Sequence, residues 1–149
     1  MIDLKAKVEI IEDNLTLLTS LTNKGFVGDK CIKNPPTKIL PEGYEVKFSN
    51  DSNISITITY YMVDDANEFF RIFINNQDGK SLSLFDWLKY HNKENNRAVF
   101  RLSHYDGGFF EKIKQIVERI NSFLSDPLFD PILSGHDWEE IPFDWAGMR

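Results

Sequence analysis

The amino-acid sequence predicts an α+β protein: an antiparallel sheet of four to five strands, covered on one face by an N-terminal and a C-terminal helix, with an irregular acidic-aromatic tail. Three observations carry this. Residues 4–22 and 109–124 repeat apolar side chains at intervals of three and four, the period of a helix with one buried stripe. Between them, runs such as "ISITITYYM" alternate every second residue, the period of a strand with one buried face. Short turns separate those runs, which favours antiparallel pairing over parallel crossovers.

Each element has its own signature. Leu4, Val8, Ile11, Leu15 and Leu18 form one stripe, Asp3 is suited to cap its start, and Gly25 stands where a helix end wants a left-handed residue. A strand-like alternation from Ile2 to Ile10 competes, and the longer helical stripe outweighs it. "KNPPTKILPEG" (33–43) reads as a rigid connector. Tyr44, Val46 and Phe48 then alternate with polar residues, and "SNDSN" supplies a turn. Ile54, Ile56, Ile58, Tyr60 and Met62 mark the clearest strand. After a turn at "DDAN" (64–67), Phe70, Ile72 and Ile74 share a face, and residues 81–84 are expected to pair briefly. Ser83 followed by Asp86 caps a short helix. "NRAVFRLSHY" (96–105) is expected to return to the sheet, with Ala98, Phe100 and Leu102 on one side. Phe110, Ile113, Ile116, Val117, Ile120 and Leu124 give the last long helix its stripe. "SDPLFDPILSG" reads as a short turn of helix, with Asp126 as cap, Pro127 at the first position and Gly135 as the stop.

At 149 residues the expectation is one domain, 1–149, with the tail 125–149 packed on it. A chain of that length buries roughly 70% of its unfolded surface and needs no disulfide. The single cysteine, Cys31, excludes an internal disulfide and fits a reducing compartment. The N-terminus is charged where a signal peptide would be apolar. The longest uncharged stretch, residues 52–63, is shorter than the roughly twenty residues a spanning helix needs, so a cytoplasmic location is expected and no membrane.

Charge is unevenly spread. The net formal charge is −6, and residues 121–149 hold six acids and one base, giving −5. Residues 1–120 hold the other 17 acids and 16 bases, giving −1. An acidic field of this kind disfavours nucleic acid and favours a basic protein surface. In "SGHDWEEIPFDWAGMR" (134–149), Trp138, Ile141, Pro142, Phe143 and Trp145 are too apolar to stay in water, and Phe143 or Trp145 is expected to lie back on the domain. Asp137, Glu139, Glu140 and Asp144 must stay solvated or be paired. Aromatics fixed among exposed acids have the make-up of an interface anchor with an electrostatic rim. The expected partner-binding residues are therefore Asp137, Trp138, Glu139, Glu140, Asp144 and Trp145.

Signs of chemistry are sparse. No nucleophile elbow, phosphate loop, HExxH or dinucleotide fingerprint occurs, and His91, His104 and His136 lack metal-ligand spacing. His104 with Asp106 has the make-up of a base and its orienter, although a surface histidine at a strand end explains it equally well. "DGG" (106–108) opens a helix and has the make-up of an anion site, or simply of a turn. No catalytic residue, cofactor or metal is expected.

A small, acidic α+β chain without a catalytic motif resembles the immunity proteins of bacterial toxin–immunity systems, including those of contact-dependent growth inhibition. The resemblance is one of general character over the whole chain and carries over no individual residue. It implies a non-enzymatic protein-binding module that neutralises a cognate basic toxin. The alternative is a small-molecule enzyme or ligand-binding domain, its pocket between sheet and helices lined by Tyr60, Phe70 and Phe100 with His104 and Asp106 at the rim. A third reading is a subunit that self-associates through an edge strand.

Overall fold

The computed structural model describes residues 4–29, 31–38, 42–62, 68–135 and 138. Its elements run α1 (Leu4–Leu15), α2 (Thr19–Thr22), β1 (Val27–Gly28), β2 (Ile32–Asn34), β3 (Gly43–Ser49), β4 (Ser55–Tyr61), β5 (Phe69–Asn75), β6 (Ser81–Ser83), α3 (Leu84–Tyr90), α4 (Phe109–Leu124) and α5 (Asp130–Leu133), with 3-10 turns at Arg97–Phe100, Leu102–His104 and Pro127–Phe129. The fold is α+β with an antiparallel sheet. Strand order is β1-β3-β4-β5-β6, and β2 also pairs with β3.

Six strand segments replace the expected four to five, because the edge beside β3 is split. Val27 and Gly28 pair with Ser49 and Phe48, whereas Ile32 pairs with Glu45. Continuous pairing would have put residue 31 opposite Glu45. One extra residue has therefore been inserted, the signature of a β-bulge, which twists an edge strand and blunts it against further pairing. Segments of two and three residues carry no readable alternation, which is why sequence periodicity does not reveal them. Gly28 is needed for space: a methyl group there would lie 2.8 Å from the Phe48 ring.

The three central strands follow the expected alternation. Val46, Phe48, Ile56, Ile58, Tyr60, Phe70, Ile72 and Ile74 are buried, and they share one cluster with Ile11, Leu15, Leu18 and Leu21 from the first helical region and with Ile113, Ile116, Val117, Ile120 and Leu124 from α4. This inner face is where the apolar burial lies. At roughly 2 kcal/mol for each fully buried large aliphatic, it supplies most of the driving force.

Four expectations need correction. The helix expected over 4–22 breaks after Leu15, where Leu17 N–H and Leu18 N–H turn back to Asn14 and Leu15 carbonyls and the Thr16 hydroxyl donates to Asp13 O at 2.6 Å. That local side-chain bond and the β-branched Thr16 favour a tightened turn over continued helix. Leu18 and Leu21 are buried after the break, so the stripe survives it. Residues 96–105 are not a strand: Asn96 caps a 3-10 turn by accepting from Ala98 N–H, and the segment is tied to the β5 side of the sheet by one bridge, Arg101 to Phe69, and by Leu102 N–H donating to Glu68 O at 3.0 Å. Val99, Phe100 and Leu102 are all buried, which strict alternation forbids. Phe110 is 50% exposed and not part of the α4 stripe. The proline-rich connector starts after β2 has already joined the sheet at Ile32–Asn34.

The other local expectations hold. Gly25 has φ +82° and Gly135 +78°, the left-handed conformation in which glycine is least strained. Ser83 caps α3 through Asp86 N–H at 3.5 Å, and β6 pairs briefly with β5. Asp126 caps the turn that starts at Pro127, accepting from Leu128 N–H at 3.0 Å. The Asp3 cap and the turn at 64–67 lie outside the described residues.

Polar ties lock the layers together. Asn121 Oδ1 accepts from both Ser20 N–H and Ser20 Oγ, at 2.9 and 2.7 Å, joining α2 to α4. Lys24 donates to the last carbonyl of α4, Leu124 O at 3.1 Å, and pairs with Asp130 at 2.7 Å. Glu68, 3% exposed and immediately before β5, accepts from the Tyr60 hydroxyl and pairs with Lys7 at 3.2 Å. The Lys7 ammonium also lies 5.2 Å from the centre of the Phe109 ring. A carboxylate this deep persists only because it is both paired and hydrogen-bonded.

Candidate functional site

Of the six residues expected to bind a partner, Trp138 is described. It is half-buried and packs against the core cluster. Asp137, Glu139, Glu140, Asp144 and Trp145 lie outside the described residues, as does Phe143. The chain reaches Trp138 through the turn of α5, whose Ile132 and Leu133 are buried along with Phe129. Asn50 in the β3–β4 turn donates to Leu133 O at 2.7 Å. Residues 125–135 are therefore seated on the domain, and Trp138 continues that seating three residues further.

The ion pairs sort the acids of this region. Asp130 pairs with Lys24 at 2.7 Å and Asp126 with Lys93 at 3.4 Å. The Leu128 N–H bond, aided by Lys93, holds the Asp126 carboxyl below its usual range against a smaller opposing effect of burial. Both acids are thus committed to holding the fold, as cap and counter-ion. With those two pairs cancelled, residues 137–149 hold four acids against Arg149, giving −3, and residues 1–125 hold 17 acids against the other 14 bases, also −3. A second acidic strip lies on the exposed side of α1, where Glu9, Glu12 and Asp13 form no ion pair among the described residues. Glu12 and Glu45 also act on Cys31. Burial first, then these two carboxylates, push its thiol up to about 11.

The candidates for chemistry are not brought together. His104 and Asp106 are both exposed with no hydrogen bond between them, and the imidazole stands edge-on to Tyr105 at 5.0 Å. Tyr60, Phe70 and Phe100 are core residues: the Tyr60 and Phe70 rings pack 5.0 Å apart, and all three are buried among the strands and helices. At the amino end of α4, a methyl group on Gly108 would lie 2.9 Å from Glu111 Oε2. The helix thus meets its own third-residue carboxylate where an external anion would sit. Among the described residues no group of three histidine, cysteine or acidic side chains is placed to hold a metal ion, and no helix is long and apolar enough to cross a membrane.

The outer face of the sheet is what sequence reasoning missed. Opposite the core, β3, β4 and β5 present rows across the strands: Gly43, Tyr61 and Phe69; Glu45, Thr59 and Arg71; Lys47, Thr57 and Phe73; Ser49, Ser55 and Asn75. Tyr61 and Phe69 stack at 5.1 Å, and the Arg71 guanidinium lies 5.3 Å from the Phe73 ring centre. Tyr61, Phe69 and Phe73 stand outside the core cluster. On the bulged edge, Val27 (71% exposed) and Ile32 (56% exposed) extend this face. The signal was present in the sequence as aromatic residues at the polar positions of an alternating strand.

Comparison of the chain with protein-family models, curated proteins and solved structures returns no significant match.

Proposed function

We propose that this chain is a non-enzymatic protein-binding module, an immunity protein that occludes a basic cytoplasmic toxin. The observation that carries this reading is the division of labour among the acids. Asp126 and Asp130 pair with Lys93 and Lys24, and half of the remaining negative charge lies beyond them, in the thirteen residues 137–149 around a tryptophan that packs on the core. Seating reduces the entropy lost when a partner orders the segment. Asp137, Glu139, Glu140 and Asp144 then steer a basic surface, while Trp138 and Trp145 supply apolar contact. The exposed acids of α1 add to the same long-range field.

The test begins with proteins that co-purify from the native cell, and with the product of the neighbouring reading frame. Reversing Glu139, Glu140 and Asp144 to lysine together should leave the melting temperature unchanged, slow association with the toxin domain and flatten its salt dependence. Unchanged rate and salt slope in the triple variant would remove the electrostatic reading. Alanine at both His104 and Asp106 should leave binding and cellular protection intact. Loss of protection in that folded double variant would favour the enzyme or ligand-binding reading.

A further inference from the structure

We propose that the outer face of the sheet is a homodimer interface, in which two copies pack face to face about a two-fold axis running along β4. The inference is independent of the toxin-binding reading and rests on the strand register. An axis lying in the contact plane along β4 places β3 of one copy over β5 of the other without shifting position along the strands. Glu45 then faces the partner's Arg71, and Arg71 faces the partner's Glu45, because both flank Thr59 in the same row. In the next row Lys47 faces the partner's Phe73, a cation over an aromatic ring. The two-fold line itself holds Ser55, Thr57 and Thr59, small side chains that let the sheets approach (Thr59 is already buried between its neighbours in the single chain), and Tyr61, whose ring lies aside against Phe69.

Charge, shape and area agree with a second copy as the occupant. Glu45, Lys47 and Arg71 make no ion pair among the described residues, and the Glu45 carboxylate takes only a long hydrogen bond, 3.4 Å, from Asn34. Their signs are complementary under that axis, as an isologous contact requires. Sheets pack face to face at about 10 Å, a gap that a glutamate and an arginine together span. The three long strands and the shorter segments beside them cover about 24 Å by about 20 Å, or roughly 500 Å² per copy and roughly 1,000 Å² in total, where specific interfaces begin. The half-buried aromatics and the exposed Val27 and Ile32 supply the apolar part. The bulged edge, in contrast, argues against association by strand addition.

Sedimentation equilibrium of the full chain across a wide concentration range tests this. Wild type should dimerise. Glu45→Arg and Arg71→Glu should each weaken the dimer by roughly tenfold or more, since each creates two like-charge contacts by symmetry. Mixing the two variants should restore a heterodimer, because both positions are then positive in one copy and negative in the other, and each facing pair is again of opposite sign. Thermal melts of the separate variants verify that each is folded; if Arg71→Glu fails to fold, Arg71→Gln with Lys47→Ala replaces it and should also weaken the dimer. A wild-type monomer at every concentration, a dimer indifferent to these substitutions, or a mixture that stays monomeric would each overturn the proposal.

Discussion

The two faces of the sheet are built from alternate residues of the same three strands, yet they obey different rules. On the inner face nearly every position is a large aliphatic or aromatic residue, and each is buried among neighbours from the strands and helices. On the outer face threonine, serine, three aromatics and three charged groups are interleaved, and Lys47 and Arg71 remain exposed. Alternation makes one strand serve both purposes, since neighbouring side chains point to opposite sides. The inner face answers to packing, where a lost methyl group is felt. On the outer face Lys47 and Arg71 keep their contact with solvent, and substitutions at such exposed positions are expected to change the fold little.

The largest effect expected from this contrast separates Ile116 from Lys47. Ile116→Ala, which opens a hole where α4 meets the inner face, should cost about 2–5 kcal/mol in chemical denaturation. Lys47→Ala, between buried Val46 and Phe48, should stay within about 0.5 kcal/mol in the monomer. Comparable losses in the two variants would mean the faces are not distinct.

A smaller effect concerns the turn that follows α4. Asp126→Ala removes a cap and the Lys93 contact, and should cost about 1 kcal/mol. The sign of the pH dependence is fixed by the direction of the shift. The folded carboxyl titrates below its unfolded value, so its contribution is present above the unfolded pKa and is lost as pH falls through the folded one. Wild type and variant should therefore differ at neutrality and converge in stability as pH falls below about 4. A constant difference across that range would show that the carboxylate charge is not what matters.

The least energetic test addresses the boundary between the faces. Cys31 sits beside the bulge, packs partly on the core and has a thiol pushed up to about 11, by burial and then by Glu12 and Glu45. Its alkylation rate should still be climbing at about pH 10, and Glu12→Lys should shift that profile to lower pH. A profile levelling off near about pH 8.5, as for a free thiol, would place Cys31 outside this acidic, half-buried edge.

Elements whose cause is local were legible in the chain alone. Alternation specified β3, β4 and β5 and their buried sides, and Ser83, Gly25, Asp126, Pro127 and Gly135 marked turns and caps that need only their own neighbours. Whatever depends on a distant partner was settled in three dimensions. Residues 96–105 have strand-like alternation, but Val99, Phe100 and Leu102 all found apolar surroundings, so a 3-10 path won. β1 and β2 exist because β3 offers them an edge, and their register includes a bulge that no pattern of two or three residues encodes. Asp126 and Asp130 looked like part of an acidic tail until Lys93 and Lys24, far away in the chain, were brought beside them. Periodicity is a property of consecutive residues and is legible in one dimension; pairing, register and charge compensation depend on which segments meet.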